Sequence, residues 1–330
     1  MLMRFIDSCN KHKIFDVYPN NKVGVVIAVS GGADSLALAD LLHRSQRRFK
    51  LKLCIAHFEH GLRGKESLDD AEFVKNFAFE RNIDCIVESG DVKSFAESNK
   101  LSIETAAREL RYQFLENVRQ KLDFDLIALA HHADDQAETI LMRMLRGSGS
   151  IGLSAMQIKS GHLVRPLLPF RKSELEKYCQ KINIIPRIDS TNFETEATRN
   201  KIRLDLIPKL KEYNPAIVET LCRLGAATTA DSDFIQTEAA KIFPSVIRIT
   251  DKVEISAALV KNHHIAIQRA LIRLFVEKSI GTVRDFEFIH FDSIHRVLTE
   301  NLKGVELPHK FRADLKKGWL SIKKKEELLN

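Results

Sequence analysis

Three short stretches of this 330-residue chain bring together side chains that could do chemistry. The first is Ser30-Gly31-Gly32-Ala33-Asp34-Ser35, set between an apolar run and a helical one. Paired glycines allow positive φ and a close approach of backbone to ligand. A turn that opens a helix also presents free N–H groups and the positive end of the dipole to an anion. Ser30 and Ser35 add hydroxyl donors, so the turn suits a phosphate or pyrophosphate. It is neither Gly-x-x-x-x-Gly-Lys-Ser/Thr nor Gly-x-Gly-x-x-Gly, which removes the Walker and dinucleotide readings. Asp34 would repel phosphates unless Mg²⁺ mediates, and this makes it the candidate metal ligand. The bland reading is a Ser/Asp-capped helix after a glycine turn. The full pattern Ser-Gly-Gly-x-Asp-Ser after a strand favours phosphate.

The second stretch, His131-His132-Ala133-Asp134-Asp135-Gln136-Ala137-Glu138-Thr139, also follows a strand-like run and opens a helix. Ala137, Ile140, Leu141, Met144 and Leu145 recur at helical spacing and predict its buried stripe. Asp135 and Glu138, three apart, flank that stripe as neighbours. Two adjacent carboxylates can hold a metal or a cationic amine. Asp134 reads as the helix cap, and His131 either lines a nucleotide site or makes a hydrogen bond where the helix begins. The third stretch, Glu104 to Tyr112, lies on a helix whose apolar face is Ala107, Leu110, Phe114 and Val118. Arg108 stands four residues after Glu104, which predicts an intrahelical pair. Arg111 falls inside the apolar stripe, where a guanidinium needs an anion: a substrate phosphate, or a carboxylate such as Asp135.

The flanking sequence supplies a scaffold that would bring these stretches to one place. Strand-like runs at Val23–Val29, Leu51–His57, Asp84–Glu88 and Leu126–Ala130 alternate with helical patterns at Leu36–Leu42, about Leu68–Arg81, about Ile103–Lys121 and Asp134–Leu145. Such alternation predicts an α/β fold, a doubly wound parallel sheet covered by helices on both faces. Open sheets of this kind bind ligands at the carboxyl ends of their strands, where the first and second stretches both fall. Gly147-Ser148-Gly149-Ser150, Pro166 and Pro169 then break the pattern, and Pro208 and Pro215 punctuate a region of mixed character. From residue 216 the pattern is helix-dominated, with strand-like runs at Val305–Leu307 and Trp319–Ile322. We therefore expect a nucleotide-binding domain over residues 1–215 and a smaller, mainly helical C-terminal domain over 216–330.

Charge and cysteine usage narrow the class. The net charge of +7 is uneven: +1 over residues 1–240 and +6 over residues 241–330. A segregated basic surface suits a polyanion, nucleic acid being the usual one; the bland reading is a solvated face with a frayed tail at Lys323-Lys324-Lys325. The five cysteines, Cys9, Cys54, Cys85, Cys179 and Cys222, are scattered and form no Cys-x-x-Cys, which argues against a disulfide framework or a structural zinc. Cys54 and Cys85 lie in strand-like runs and read as buried small hydrophobes. No apolar run reaches the roughly 18 residues of a membrane span, and the N-terminus lacks the layout of a signal peptide. A cytoplasmic protein with no membrane partner is the expectation.

Taken with further short runs, these stretches resemble the tRNA(Ile)-lysidine synthases, members of the N-type ATP pyrophosphatase or PP-loop superfamily. The resemblance covers about residues 20–215. It includes Ser30–Ser35, His57-Phe58-Glu59-His60-Gly61-Leu62-Arg63, Glu104–Tyr112 and His131–Thr139. Arg146-Gly147-Ser148-Gly149, Arg165-Pro166-Leu167-Leu168, Asp189-Ser190-Thr191-Asn192 and Arg199-Asn200-Lys201-Ile202-Arg203 extend it. The first motif marks only the superfamily, whereas the combination in this order is specific.

The resemblance implies an ATP-dependent ligase. ATP would adenylate the C2 oxygen of the wobble cytidine in the CAU anticodon of tRNA(Ile), and free L-lysine would displace AMP. It implies that Ser30, Gly31, Gly32, Ala33, Asp34 and Ser35 cradle the pyrophosphate, with Mg²⁺ on Asp34 and His131 lining the ATP site. Arg111 and Arg203 would stabilise the α-phosphate, and Asp135 and Glu138 would position the lysine ammonium. The C-terminal part would bind tRNA, and a homodimer is compatible with the resemblance. The chain length leaves room for one C-terminal unit, where some members carry a second. A tRNA thiolase with the same loop is the nearest alternative. The lack of Cys-x-x-Cys disfavours its cluster-dependent type, and a GMP or NAD synthetase would not need the basic segment. A non-catalytic RNA-binding protein with a degenerate nucleotide site is a third reading, against which the intact acids at 34, 135 and 138 speak.

Overall fold

The β-branched run near the N-terminus becomes β1 (Val23–Ala28), a strand buried along nearly all its length. Its second residue is glycine because a Cβ there would come within 2.7 Å of the Phe124 ring and 2.9 Å of the Phe124 Cα. The structure is a computed structural model, and it describes residues 1–16, 22–59, 65–147, 149–154, 156–187, 197–283 and 286–324. Two compact units are evident, one of residues 1–139 and 156–222, the other of residues 140–155 and 223–330.

In chain order the elements begin with α1 (Leu2–Lys11), β1, α2 (Ala33–Phe49), β2 (Leu51–Glu59), α3 (Lys65–Glu80), β3 (Asp84–Ser89), α4 (Val92–Asn99) and α5 (Ile103–Lys121). They continue with β4 (Leu126–Ala128), α6 (Ala133–Leu145), α7 (Ser150–Leu153), β5 (Lys159–Ser160), β6 (Leu163–Val164), α8 (Lys172–Lys181) and α9 (Ala197–Lys201). A π-helical turn over Ile202–Leu206 leads into α10 (Ile207–Tyr213) and α11 (Ile217–Val246). The remainder is β7 (Ile247–Ile249), β8 (Val253–Ser256), α12 (Ala257–Lys261), α13 (Ile265–Ile280), α14 (Phe288–Glu300), β9 (Gly304–Leu307), β10 (Phe311–Lys316) and β11 (Trp319–Lys324).

The first unit carries a six-stranded sheet in the order β3-β2-β1-β4-β6-β5. All its pairings are parallel except β5 with β6, so the expected parallel sheet has one antiparallel edge hairpin. The four expected strands are all present, and α2, α3, α5 and α6 fill the helical patterns between them. One core cluster combines Val25 and Ile27 with Leu36, Leu38, Leu41 and Leu42 of α2, and another combines Val26 with Phe114, Leu115 and Val118 of α5. Central strands covered on both faces read as continuous apolar runs for this reason. Helix α1, which the sequence reading did not expect, buries only Phe5 and Cys9. The stripe expected on α6 is correct for Ala137, Ile140 and Leu141. It fails for Met144 and Leu145, which are 49% and 62% exposed.

The second unit combines its helices with a five-stranded antiparallel sheet, β7-β8-β11-β10-β9. Leu271, Ile272, Phe275, Ile294 and Leu298 pack against Ile255, Ala313 and Leu320 in its core. Strands β9 and β11 are the two expected runs, and β7, β8 and β10 are added to the helical picture. No described helix is long and apolar enough to cross a membrane.

Candidate active site

The turn after β1 takes its shape from one glycine. Gly31 has φ +92°, while Gly32 is an extended helix cap at φ −76°, so only the first of the pair needs left-handed freedom. Ser35 is buried, donates to the Gly32 carbonyl at 2.9 Å and accepts from the Ser30 N–H at 3.2 Å. Its hydroxyl therefore braces the turn instead of standing free for a ligand. The Ser30 hydroxyl lies 3.4 Å from that of Ser35, and Arg187 N–H closes the other side on the Gly31 carbonyl at 3.1 Å. Ala33 and Asp34 open α2. Asp34 Oδ1 is buried and has no hydrogen-bond partner, and Oδ2 lies 3.5 Å from His132 Nε2.

β4 pairs with β1 in parallel and delivers the second stretch to the same edge. The helix cap there is His132 and not Asp134. His132 Nδ1 accepts from Asp135 N–H at 3.3 Å, while Asp135 Oδ2 accepts from His132 N–H at 3.0 Å. Asp134 is turned to Arg171, 3.0 Å away, and accepts from Lys172 N–H at 2.9 Å. His132 Nε2 also approaches Asp135 to 3.4 Å. Burial of His132 works against its charged form, but the hydrogen bond to Asp34 and the charges of Asp135 and Asp34 outweigh burial and raise its pKa. Burial likewise opposes the charged form of Asp135, yet His132 and Arg199 hold its pKa below the usual carboxylate range.

Asp135 and Glu138 are neighbours, as their spacing requires, and both are occupied by arginines from the far side of the sequence. Glu138, only 1% exposed, accepts from Arg199 Nε at 2.7 Å and from Arg203 Nε and a terminal Arg203 nitrogen at 2.6 and 3.0 Å. The same arginines reach Asp135 at 3.3 and 3.6 Å. Arg203, which the sequence reading assigned to a phosphate, thus rests on Glu138, in the π-helical turn that follows α9. The sequence reading gave Arg199 no role; its four-residue spacing from Arg203 was the signal that could have found it.

A cationic cluster lies to the other side of His131. Arg108 does not pair with Glu104; its guanidinium stacks 5.1 Å from the Tyr112 ring centre, and that of Arg111 lies 5.7 Å from the same ring. Among the described residues Arg111 has no carboxylate partner, and Asp135 is paired with other groups. Arg111 Nε, Tyr112 Oη, His131 Nδ1 and Arg165 Nε are all buried without a hydrogen-bond partner. Burial lowers the pKa of Arg111 and of Arg165. Burial first, then the arginine charges, lowers that of His131 to about 4 in spite of Asp135, leaving a neutral imidazole at pH 7. His57 is structural, its Nδ1 donating to the Val29 carbonyl at 2.8 Å. The segments His60–Arg63 and Asp189–Asn192, and Ser148, lie outside the described residues.

Residues 6–210 match the family model of the PP-loop domain. The chain belongs to the PP-loop family. Among relatives of this PP-loop protein, the tRNA(Ile)-lysidine synthase of Clostridium acetobutylicum is 37% identical over 306 residues, 92% of this chain and 66% of that protein. The tRNA(Ile)-lysidine synthase of Clostridioides difficile is 34% identical over 295 residues, 88% of this chain and 63% of that protein. The chain thus spans slightly less than two thirds of the length of these relatives. Among solved structures, the U34-tRNA thiolase of Methanococcus maripaludis with its [4Fe-4S] cluster aligns with a TM-score of 0.55 at 20% identity, covering 68% of this chain and 78% of that one. At that identity the likeness is one of fold.

Among the described residues no three His, Cys, Asp or Glu side chains converge on a point that could hold a metal. A PP-loop site does not need such a cage. Mg²⁺ is usually bound by one or two carboxylates together with substrate phosphates. The unpartnered, buried Asp34 Oδ1 beside the phosphate turn fits that requirement.

Proposed function

We propose that this chain carries the catalytic part of a cytoplasmic tRNA(Ile)-lysidine synthase, a ligase that uses ATP to join L-lysine to C2 of the wobble cytidine in the CAU anticodon of tRNA(Ile). The cytidine C2 oxygen attacks the α-phosphorus of ATP, and the bond to pyrophosphate breaks. The ε-nitrogen of lysine then attacks C2 and loses a proton, and AMP leaves with the former C2 oxygen. The modified base changes decoding from AUG to AUA. One observation carries the reading. The His132 imidazole stands 3.5 Å from Asp34 of the phosphate turn and 3.4 Å from Asp135 of the acidic pair. An anion site and a cation site thereby share one hydrogen-bonding group, as the meeting of a phosphate ester with an amine requires.

The roles follow from the donor sets. The N–H groups of residues 31–35 hold the leaving pyrophosphate at the start of α2. Asp34, whose Oδ1 has no partner, would hold Mg²⁺, which would supply charge neutralisation for the phosphates. Arg111 offers an uncommitted buried N–H to the α-phosphate. Asp135, kept ionised by its neighbours, and Glu138 seat the ε-ammonium, and one of them takes its proton. Lysine then replaces the guanidinium groups of Arg199 and Arg203 as the counter-charge, which frees Arg203 for the phosphate. The basic last 90 residues, at +6, serve as the tRNA-binding part.

The cysteines weigh against sulfur transfer. Burial pushes Cys9 and Cys54 up to about 12 and Cys85, Cys179 and Cys222 up to about 11, far from the thiolate such chemistry needs. The test is to incubate the chain with ATP, Mg²⁺, labelled lysine and an unmodified tRNA(Ile) transcript. ATP-dependent label in the RNA, lost in Asp135→Ala with circular dichroism unchanged, is the expected result. Sulfur transfer without lysine incorporation overturns the reading.

A further inference from the structure

Arg165 and Tyr112 have no role in the reaction as described, yet each carries a buried polar atom, Nε and Oη, without a hydrogen-bond partner. Arg165 directly follows β6, which pairs in parallel with β4 through Ile127↔Leu163 and Ala128↔Val164. It therefore arrives at the same edge of the sheet as His131. Its side chain is 9% exposed, and one terminal nitrogen donates to the Gln157 carbonyl at 2.9 Å while Nε donates to nothing. Arg111, one residue before Tyr112 on α5, has an unpartnered Nε as well. The Tyr112 phenol lies close enough to both guanidinium groups to favour their charged forms against burial, and its own Oη is buried without a hydrogen-bond partner. Among the described residues no acid pairs with either arginine. His131, neutral and with Nδ1 unpartnered, borders the group on the side of Asp135.

A buried guanidinium whose Nε–H lacks an acceptor is costly, and the charge of Arg108 works against the charged form of both Arg111 and Arg165. An arrangement of this kind is stable when an anion completes it. We propose that Arg111, Tyr112 and Arg165 form one oxyanion seat for a substrate, in which Arg165 is a second guanidinium acting beside Arg111. The inference rests on the ligase reading only for the identity of the oxyanion, either the α-phosphate of the adenylate or the carboxylate of the free amino acid. Tyr112 separates the two cations and donates its hydroxyl to the ligand. The Arg165-Pro166-Leu167-Leu168 run acquires a purpose: Leu167 and Leu168 are buried and anchor the turn that holds the arginine in place.

A binding measurement tests the seat without any turnover. Inorganic phosphate, and separately acetate, is titrated into the full chain while the arginine Nε–H resonances are followed by ¹⁵N NMR, assigned with Arg111→Lys and Arg165→Lys. The expected result is that the two resonances move together and saturably with at least one anion, and that Arg165→Ala abolishes the response at Arg111. Two silent resonances, or an Arg111 response unaffected by Arg165→Ala, overturn the proposal. Kinetics then assign the ligand. Loss of about 100-fold in pyrophosphate release measured without lysine assigns the phosphate, the expected arm. A rise of similar size in the KM for lysine with pyrophosphate release intact assigns the carboxylate. Arg165→Ala and Tyr112→Phe that leave both steps unchanged overturn it. If the wild-type chain incorporates no lysine but phosphate still moves both resonances, the ligase reading fails and the seat stands.

Discussion

Replacing Glu138 by glutamine keeps the shape of the side chain and removes one charge from a group of four. Two guanidinium groups face two carboxylates here, with Glu138 bonded at 2.7, 2.6 and 3.0 Å and Asp135 approached to 3.3 and 3.6 Å. The variant leaves two cations around one carboxylate, at a position 1% exposed. Removing one member of a buried pair costs about 3–5 kcal/mol. The two arginine side chains keep 24% and 30% exposure, so water screens part of this. The glutamine oxygen also still accepts a bond, and the expected loss is about 2–3 kcal/mol. Arg203→Gln leaves Glu138 bonded to Arg199 and should cost about 1–2 kcal/mol. Both changes remove the same contact, so the double variant should fall short of the sum by about 1–2 kcal/mol. Native-state hydrogen exchange is the assay, because it reads amides one by one, so those of α6 around Glu138 can be compared with those of β10 and β11 in the other unit. Opening free energies should drop in α6 and hold in β10 and β11. Unchanged protection of α6 in Glu138→Gln, or strict additivity in the cycle, would refute the ionic group as a source of stability.

Four other outcomes follow from the structure. Gly31→Ala should destabilise the first unit by about 1–2 kcal/mol through φ alone, since the added Cβ meets nothing nearer than Val74 at 3.8 Å; an unshifted urea midpoint would remove the conformational argument. The folded pKa of His132 is raised, so its contribution is complete below 6.5 and is lost as pH rises through the folded value. The stability gap between wild type and His132→Gln should therefore shrink from pH 6 to pH 9, whereas a constant gap contradicts the assignment. His131 has the opposite sign: the unfolded chain takes up its proton below 6.5 and the folded chain resists until about 4, so His131→Gln should soften the loss of stability across that window. If the C-terminal part holds RNA phosphates, Lys316→Gln, Lys317→Gln and Lys324→Gln should each flatten the slope of log affinity against log salt by about 0.9. An unaltered slope would move the contact elsewhere.

Periodicity revealed the first unit because its central strands are buried on both faces, and a run such as Val23–Ala28 can hardly be read otherwise. It revealed less of the second. Phe311–Lys316 and Ile247–Ile249 are short, half-exposed strands with charges among their apolar residues, and it is their pairing, the first with β9 and β11 and the second with β8, that marks them as sheet. In the site, local spacing placed Asp135 beside Glu138 and put Arg111 on a buried stripe. The failures are long-range. Nothing within α6 says that Arg199, 61 residues on, will lie against Glu138, or that Arg171 will draw Asp134 away from capping and leave that task to His132. Arg165 was visible as part of a motif, but its unpartnered nitrogen is a property of burial that spacing does not encode.

The π-helical turn at Ile202–Leu206 bears on how related chains should be lined up. A widened turn takes in one residue more than α-helical winding of the same rise. The segments on either side keep their faces although the count between them is off by one. Position along the sequence is therefore a poor guide to which cation touches the acids. A chain with a one-residue gap here could still present both guanidinium groups to its counterparts of Asp135 and Glu138. Another chain, retaining every charged letter but lacking the widened turn, would present them differently.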